Sequence, residues 1–150
     1  MKRSIWKNLC RITLAVQIIL PAGLWKKIPA QIPTHYGFGG QADAWGSRNI
    51  IWVVVVVAVL LHLLLIGIAR YLPIEWWNLP VALTEENRAV LHEIGVTMLE
   101  QVCIALDLTF LYMTWTIAKG VDMHPLFAPV AVTAAIVPLI VGIVRMKKQG

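Results

Sequence analysis

Charged residues are scarce in this chain, and acidic residues are the scarcest. Asp and Glu together number 8 in 150 residues, and charged side chains make up 14% of the sequence. Soluble globular domains average about 25% charged residues. The mean hydropathy of +0.73 and the 59% content of hydrophobic residues point the same way. The composition therefore excludes an ordinary soluble domain and predicts a single membrane domain.

Cysteine and catalytic motifs are also nearly absent. Cys10 and Cys103 are the two cysteines, and both fall in or beside apolar segments, where a disulfide is not expected. Without a Cys-x-x-Cys motif or a nearby Cys/His spacing, a structural zinc site is not expected. No nucleophile–base arrangement or hydrolase motif is evident. The sequence also has no basic stripe with interleaved aromatic residues, so nucleic acid is not an expected partner.

Four apolar segments approach the length of a membrane-spanning helix. They cover residues 9–25, 50–72, 94–117 and 126–144. About 20 apolar residues are needed to cross the hydrocarbon core of a bilayer. The first segment starts with basic residues like a signal peptide, but Pro21 to Lys27 offers no small-x-small cleavage site, so we expect it to be retained. The sequence predicts an all-α integral membrane protein with four transmembrane helices.

The positions of Lys and Arg predict how this protein is oriented. If the N-terminus is cytoplasmic, nine of the 13 Lys and Arg residues lie on the inner side. Cytoplasmic loops carry an excess of these residues, so we expect both termini to be cytoplasmic. Attraction to anionic lipids of the inner leaflet accounts for the net charge of +5.

The connection between the first two spans, residues 26–49, is the longest loop. Pro29 and Pro33 prevent a regular helix here, and several glycines supply turns. Trp25 and Trp45 are typical of residues that anchor a segment at the membrane interface. We therefore expect a structured loop on the outer face, close to the bilayer.

Residues 32–48 of this loop read IPTHYGFGGQADAWGSR. This stretch resembles the outer-loop signature of a bacterial membrane-protein family of unknown function related to SdpI. In that signature, Pro-x-His is followed by Gly and then by an Asp-x-aromatic-Gly-Ser-Lys/Arg ending. The resemblance implies a multi-pass protein of the bacterial cytoplasmic (inner) membrane. For SdpI-like proteins it also implies immunity and signalling against a secreted peptide toxin, although this chain lacks the additional C-terminal half of SdpI.

The outer loop has two interpretations. In the first, its polar side chains bind an extracellular peptide, a lipid headgroup or an ion. In the second, the loop is only structural: glycines such as Gly46 set turns, and Asp43 caps the backbone or pairs with Arg48. The candidate residues of this loop are Pro33, His35, Gly40, Asp43, Trp45 and Arg48.

Acidic residues recur at seven-residue spacing around the third span. Glu93, Glu100 and Asp107 stay within roughly 40° of one helical stripe, since seven residues turn a helix by about 700°. A charged side chain at the bilayer centre costs on the order of 2.5–3.5 kcal/mol, so the buried acids should face the bundle interior. At about 1.5 Å per residue, His62 of the second span and Asp107 lie at one depth, roughly 17 Å from the outer boundary. Gln17 of the first span falls at a comparable depth.

Three interpretations of these intramembrane residues remain open. They form a polar network that fixes helix packing, a proton or cation pathway, or a metal or catalytic site. A metal would be held by His62, Glu100 and Asp107. Arg11 is the cation best placed to reach Glu100 or Glu93. The candidate residues are Gln17, His62, Glu93, Glu100 and Asp107.

The sequence favours a non-enzymatic sensor or immunity-type protein whose outer loop recognises an extracellular peptide or lipid. The second hypothesis is a proton- or cation-coupled translocator, and the third is a metal-dependent membrane enzyme. No cofactor is predicted beyond a bound cation. The lipid bilayer is the expected partner, and a homodimer is considered because four helices form a thin bundle for enclosing a pathway.

Overall fold

Four long helices dominate the structure, a computed structural model that describes residues 2–150 and, in its helices, side chains from residue 5 onward. The helices are α1 (Lys2–Leu24), α2 (Ile51–Tyr71), α3 (Arg88–Lys119) and α4 (Phe127–Lys147). Each is long and apolar enough to cross a membrane, which confirms the prediction of four such helices. The four apolar segments overlap these helices, and α1 and α3 begin earlier than their segments.

The central helix of the bundle is α3, which packs against α1, α2 and α4. The most exposed helix is α4, whose buried residues are Gly142 and Met146. Gly142 allows close approach because a Cβ at this position would overlap the side chain of Met98 on α3. Trp6 near the start of the chain and Gln149 near its end line one cavity, so both termini lie at the same end of the bundle. We call this the termini end and the opposite one the hairpin end.

The connection between α1 and α2 contains a β-hairpin. Strands β1 (Gln31–Tyr36) and β2 (Ala42–Ser47) pair antiparallel, with register shifts on either side of His35. The all-α prediction is therefore wrong for this loop. Two short strands with a proline in the first carry little of the period-two pattern that identifies a strand, and Pro33 is tolerated because the ladder is irregular there.

The hairpin is fixed to the connection between α3 and α4. The Met123 N–H donates to the Gly40 carbonyl at 2.8 Å, and the Ala42 N–H donates to an Asp122 carboxylate oxygen at 2.9 Å. Gly40 has a φ of +87°, and a Cβ there would overlap the Met123 carbonyl oxygen. Glycine is the residue that adopts such backbone conformations without strain. The loop is thus part of the folded body, with an apolar core beneath it formed by Ile28, Ile32, Ile51, Ile117 and Ala118.

The segment between α2 and α3 closes the termini end. Trp77 packs onto Gly95 of α3, where a Cβ would overlap the indole ring. Just before α3, the Asn87 N–H donates to the Thr84 hydroxyl at 3.3 Å, and the Thr84 N–H donates to Asn87 Oδ1 at 2.9 Å. This reciprocal pair satisfies backbone donors in the manner of a capping box. The regular helix begins at Arg88, one turn after Thr84.

Candidate functional site

Three side chains from two helices converge at one point inside the bundle. The Nδ1 atom of His62, on α2, lies 2.9 Å from Asp107 Oδ2 and 3.2 Å from Cys103 Sγ, both on α3. The potential ligand atoms of the three residues all lie within 4.8 Å of one another. The exposed fractions of the His62 and Asp107 side chains are 5% and 3%. An imidazole, a carboxyl group and a thiol therefore share a site shielded from solvent.

Helix α1 closes the third side of this site. The Thr13 hydroxyl lies within hydrogen-bonding reach of Asp107 Oδ2 and of the Cys10 carbonyl oxygen. The Cys10 thiol donates to the Glu100 carbonyl at 3.4 Å. The site is thus built from α1, α2 and α3, and its polar groups form one connected network.

A separate buried polar contact lies nearer the hairpin end. The Gln17 side-chain amide donates to the Thr114 hydroxyl at 3.2 Å. Both residues are fully buried, and Gln17 Oε1 has no hydrogen-bond partner among the described side chains. Glu100, Asp107 and Thr114 recur every seven residues and are all buried in the bundle interior. Gln17, His62, Glu100 and Asp107 therefore lie in the interior, and His62 is hydrogen-bonded to Asp107 as their depths predict; the roles of these residues stay predictions.

Glu93 does not join this buried group. It is exposed and lies in the part of α3 near the termini end. Arg11 is also exposed, and no ion pair is found for it among the side chains that the structure describes. Glu93 instead lines an open cavity of about 650 Å³. The polar residues that share this cavity are Thr97, Gln101, Arg145, Lys148 and Gln149.

The outer-loop candidates divide into two groups. Pro33 and Gly40 are buried and belong to the scaffold of the hairpin. His35 and Asp43 are partners across the two strands, with His35 Nδ1 2.6 Å from Asp43 Oδ1 and side-chain exposures of 69% and 51%. Trp45 is 52% exposed.

Arg48 does not pair with Asp43. Its guanidinium lies over the ring of Trp25, with the Cζ atom 4.7 Å from the ring centroid. A cation over an indole face is attracted by the negative charge on that face. This contact holds the residues just before α2 to the residues just after α1. Arg48 therefore does not place its positive charge beside the pair of His35 and Asp43.

Thr13, Cys10 and Cys103 are residues of the site that the sequence reasoning did not select. Cys103 precedes Asp107 by four residues and therefore lies on the same helical face. Thr13 precedes Gln17 by four residues in the same way. A search for every polar or thiol side chain at the depth of Asp107 would have found them. A search for metal motifs could not, because these ligands come from different helices.

The comparisons with known proteins match one part of the chain. Residues 12–61 match the model of a domain of unknown function, DUF1648. The match runs from α1 through the hairpin and into α2, ending one residue before His62. No curated protein and no solved structure matches the chain. The protein therefore contains a DUF1648 domain, to which the family description assigns no activity.

Chemically, the buried site combines groups that bind cations. Carboxylate and neutral imidazole are common metal ligands, and thiolate binds soft and borderline metals. Ionisable groups inside a membrane bundle are rare and mark ion pathways or binding sites. The hydroxyl of Thr13 is placed to orient the Asp107 carboxylate, as an outer partner does for a ligand.

Proposed function

We propose that this protein binds a cation inside its helical bundle, at the site built around His62 and Asp107, and passes it between the two sides of a membrane. The observation that supports this proposal is the convergence of an imidazole, a carboxyl group and a thiol within 4.8 Å. Burying these polar groups inside a bilayer is unfavourable unless they are hydrogen-bonded to one another or bind an ion. A purely apolar interior would therefore be more stable.

A route to this site is supported by the polar residues of α3. Thr97 and Gln101 line the open cavity at the termini end. Glu100 is their neighbour on the helix, Asp107 lies two turns further along, and Thr114 is fully buried two turns beyond that. Polar side chains thus follow one helix from an open cavity through the site toward the hairpin end.

The test of cation binding uses purified full-length protein in lipid nanodiscs, stripped of metal with a chelator. Na⁺, K⁺, Mg²⁺, Ca²⁺, Mn²⁺, Co²⁺ and Zn²⁺ are added in turn, and the thermal unfolding temperature is measured. A ligand that binds only the native state raises this temperature, because it stabilises the fold. The free energy of stabilisation is about 2.7 kcal/mol when the ligand concentration is 100 times its dissociation constant. We expect at least one cation to stabilise the protein and Asp107→Asn to abolish the effect.

The chain supplies a matched control in its second His–Asp pair. Asp43→Asn removes a carboxylate with the same kind of partner, but at an exposed position. This variant should keep the full stabilisation. If no cation stabilises the protein, or if Asp43→Asn and Asp107→Asn reduce the effect equally, the proposed function is wrong. Once a stabilising cation is known, its transport is measured in vesicles that contain the protein and enclose an indicator for that cation. Asp107→Asn should abolish the influx of the cation into these vesicles.

A second candidate function rests on the hairpin. Phe38 at its turn is fully exposed, next to the exposed pair of His35 and Asp43. An exposed aromatic beside polar groups suits recognition of an extracellular peptide or lipid headgroup. This supports the sensor or immunity-type role that the resemblance to SdpI-related proteins implies, with the hairpin on the outer face.

The second candidate is tested by comparing two kinds of hairpin variant in cells. His35→Ala and Asp43→Ala should give folded, inserted protein that no longer protects cells from a secreted peptide toxin. Asn49→Ala, an exposed change outside the turn, should protect like wild type. Degradation of both His35→Ala and Asp43→Ala, or undiminished protection by them, would contradict a binding role for the hairpin.

A further inference from the structure

We propose that the open cavity at the termini end binds the headgroup of an anionic phospholipid, whose acyl chains lie along an apolar groove between α3 and α4. The cavity of about 650 Å³ is lined by residues of α1, α3 and α4 and by residues just after α4. Small-molecule sites in proteins typically have volumes of about 300–1,000 Å³. This inference concerns a different part of the molecule from the buried site at His62, and it does not depend on cation binding there.

The charges in the cavity select an anion. Arg145 at the end of α4 and Lys148 just after it line the cavity, and Glu93 is its acidic residue. Two positive charges and one negative charge leave an excess of positive charge. Neither Arg145 nor Lys148 has an ion pair among the residues that the structure describes, so both are available to bind a phosphate. A bound phosphate would also offset these positive charges at the mouth of the polar route proposed above.

Neutral polar groups in the cavity suit the rest of such a headgroup. Thr97 and Gln101 lie about one and two turns further along α3 than Glu93. A hydroxyl and an amide each donate and accept hydrogen bonds, and a carboxylate accepts them. The glycerol hydroxyls of phosphatidylglycerol can pair with all three groups. A headgroup with one net negative charge and free hydroxyls therefore matches the cavity.

A second, apolar space lies further along the same face of α3. This groove of about 400 Å³ is lined by residues of α3, of α4 and of the connection between them. The α3 residues that line the cavity and the groove follow one another at spacings of three or four residues, which places them on one helical face. They are Ile94, Thr97, Gln101, Ala105, Leu108 and Tyr112. The polar and apolar spaces therefore form one continuous stripe.

Helix α4 has the same arrangement. Phe127 lines the groove and Arg145 lines the cavity, and the 18 residues between their positions make about five full turns, so both lie on one face. Val141, one turn before Arg145, is 47% exposed and continues this face. The stripe on α4 is thus also charged at one end and apolar beyond it.

The length of the stripe favours a lipid over a soluble phosphate. Ala134, which lines the groove, lies 11 residues before Arg145. This separation is about 16 Å along the helix, and half of the hydrocarbon core of a bilayer is about 15 Å. The acyl chains of a lipid whose phosphate lies at Arg145 therefore reach the near end of the groove. Trp6, which lines the cavity from α1, is typical of residues at the headgroup level.

The headgroup is tested by native mass spectrometry of delipidated full-length protein in detergent. Phosphatidylglycerol, phosphatidylethanolamine and phosphatidylcholine with identical acyl chains are titrated in turn, and the fraction of lipid-bound protein gives a dissociation constant for each. We expect phosphatidylglycerol to bind several-fold more tightly than the other two. Equal affinity for the three lipids, or tighter binding of phosphatidylethanolamine, would overturn the proposed anionic headgroup without the use of any variant.

The two cations are tested against a matched neighbour. Arg145→Gln and Lys148→Gln should each weaken phosphatidylglycerol binding about fivefold, the factor expected for one basic residue beside an anionic lipid. Lys147→Gln removes the same charge from an exposed position between them that does not line the cavity, so it should leave the affinity near that of wild type. Equal losses in all three variants would assign binding to diffuse surface charge and contradict a site in the cavity.

The acyl-chain groove has its own pair of variants. Ala134→Leu adds volume in the groove at an exposed position and should weaken binding of long-chain phosphatidylglycerol. Thr133→Leu adds an apolar side chain at the exposed neighbour outside the groove and should not. Glycerol phosphate and inorganic phosphate should fail to displace the lipid. Displacement by either would make the cavity a site for a soluble phosphate. A dimer that Ala134→Leu disrupts, without any lipid adduct, would assign the groove to a second copy of the chain and overturn the proposal.

Discussion

At the scale of single residues, the same chemical pair occurs in two environments. His62 with Asp107 is buried, at 5% and 3% exposure, while His35 with Asp43 is 69% and 51% exposed. An exposed ion pair contributes about 0–1 kcal/mol to stability, because water screens it. In a low-dielectric interior the same contact is stronger, and loss of one partner leaves a buried polar group unsatisfied. Environment therefore decides which pair is suited to ligand binding.

Two neighbouring glycines give a residue-scale prediction. Gly40→Ala introduces a Cβ at a φ of +87°, against the Met123 backbone carbonyl, which cannot move easily. A left-handed conformation alone costs a non-glycine residue about 1–2 kcal/mol. We expect Gly40→Ala to release the hairpin from residues 121–124 and to lower the unfolding temperature, as measured by thermal melting and by protease cleavage in the hairpin.

Gly39→Ala is the control for this prediction. Its Cβ would meet the end of the flexible Gln41 side chain, which is exposed and free to turn away. The melting temperature and the cleavage rate should stay near those of wild type. Equal effects of the two variants would show that the strained backbone at Gly40 is not what holds the hairpin.

At the scale of elements, packing of the segment after α2 depends on one glycine of α3. Gly95→Ala would push a methyl group into the Trp77 ring, whereas a Cβ at Gly67 of α2 meets nothing within 4 Å. Alanine is favoured over glycine within helices by about 0.5–1 kcal/mol. We therefore expect Gly67→Ala to be neutral or stabilising and Gly95→Ala to destabilise. Thermal melting together with Trp fluorescence checks this, and a neutral Gly95→Ala would contradict the tight contact.

The same segment is held by an ion pair whose strength depends on pH. Arg88 donates to Glu75, and this hydrogen bond lowers the pKa of the Glu75 carboxyl group. A carboxyl group with a lowered pKa in the folded state stabilises the fold above its ordinary pKa of about 4.3. That stabilisation is lost as pH falls through the lowered value. Glu85 is a second carboxyl group facing Arg88, with 3.5 Å between Oε1 and Nη2.

Hydrogen exchange across residues 72–92 measures this effect. Protection should be higher at a pH of about 6 than at a pH of about 3, because protonation of Glu75 breaks the pair. Glu75→Gln should remove most of this difference in protection between the two pH values. An unchanged pH dependence in Glu75→Gln would assign it to another acid, with Glu85 the next to test.

At the scale of the whole molecule, the distribution of Lys and Arg predicts orientation. We expect the termini end to be cytoplasmic and the hairpin end to be outside. A Cys at Gln41 should then react with a membrane-impermeant maleimide in intact cells, and a Cys at Pro80 should react only after lysis. Cys10 and Cys103 are buried and should give little background. Labelling of Pro80 with protection of Gln41 would reverse the orientation.

Much of the bundle and part of its site could be predicted from the sequence. Hydrophobic length identified four helices, and depth arithmetic paired His62 with Asp107, because both depend on the regular rise of a helix. The hairpin could not be predicted, since its strands are short and its pairing depends on contacts with residues 121–124. Cys103 and Thr13 carry a local signal, since each lies four residues from a residue that the sequence did select, Asp107 and Gln17. Their contacts with residues of other helices could not be predicted, because packing decides which helix faces meet.

The clamp between Gly40 and Met123 has a consequence for biogenesis. During synthesis, the hairpin emerges with α1 and α2 long before residue 123, so its final hydrogen bonds have no partners at that time. They form only when α3 has crossed the bilayer and the connection to α4 has arrived beside the hairpin. In a chain that ends before residue 122, the Gly40 carbonyl and the Ala42 N–H lack these partners. Final closure of the hairpin therefore comes after the placement of α3, although the hairpin precedes α3 in the sequence.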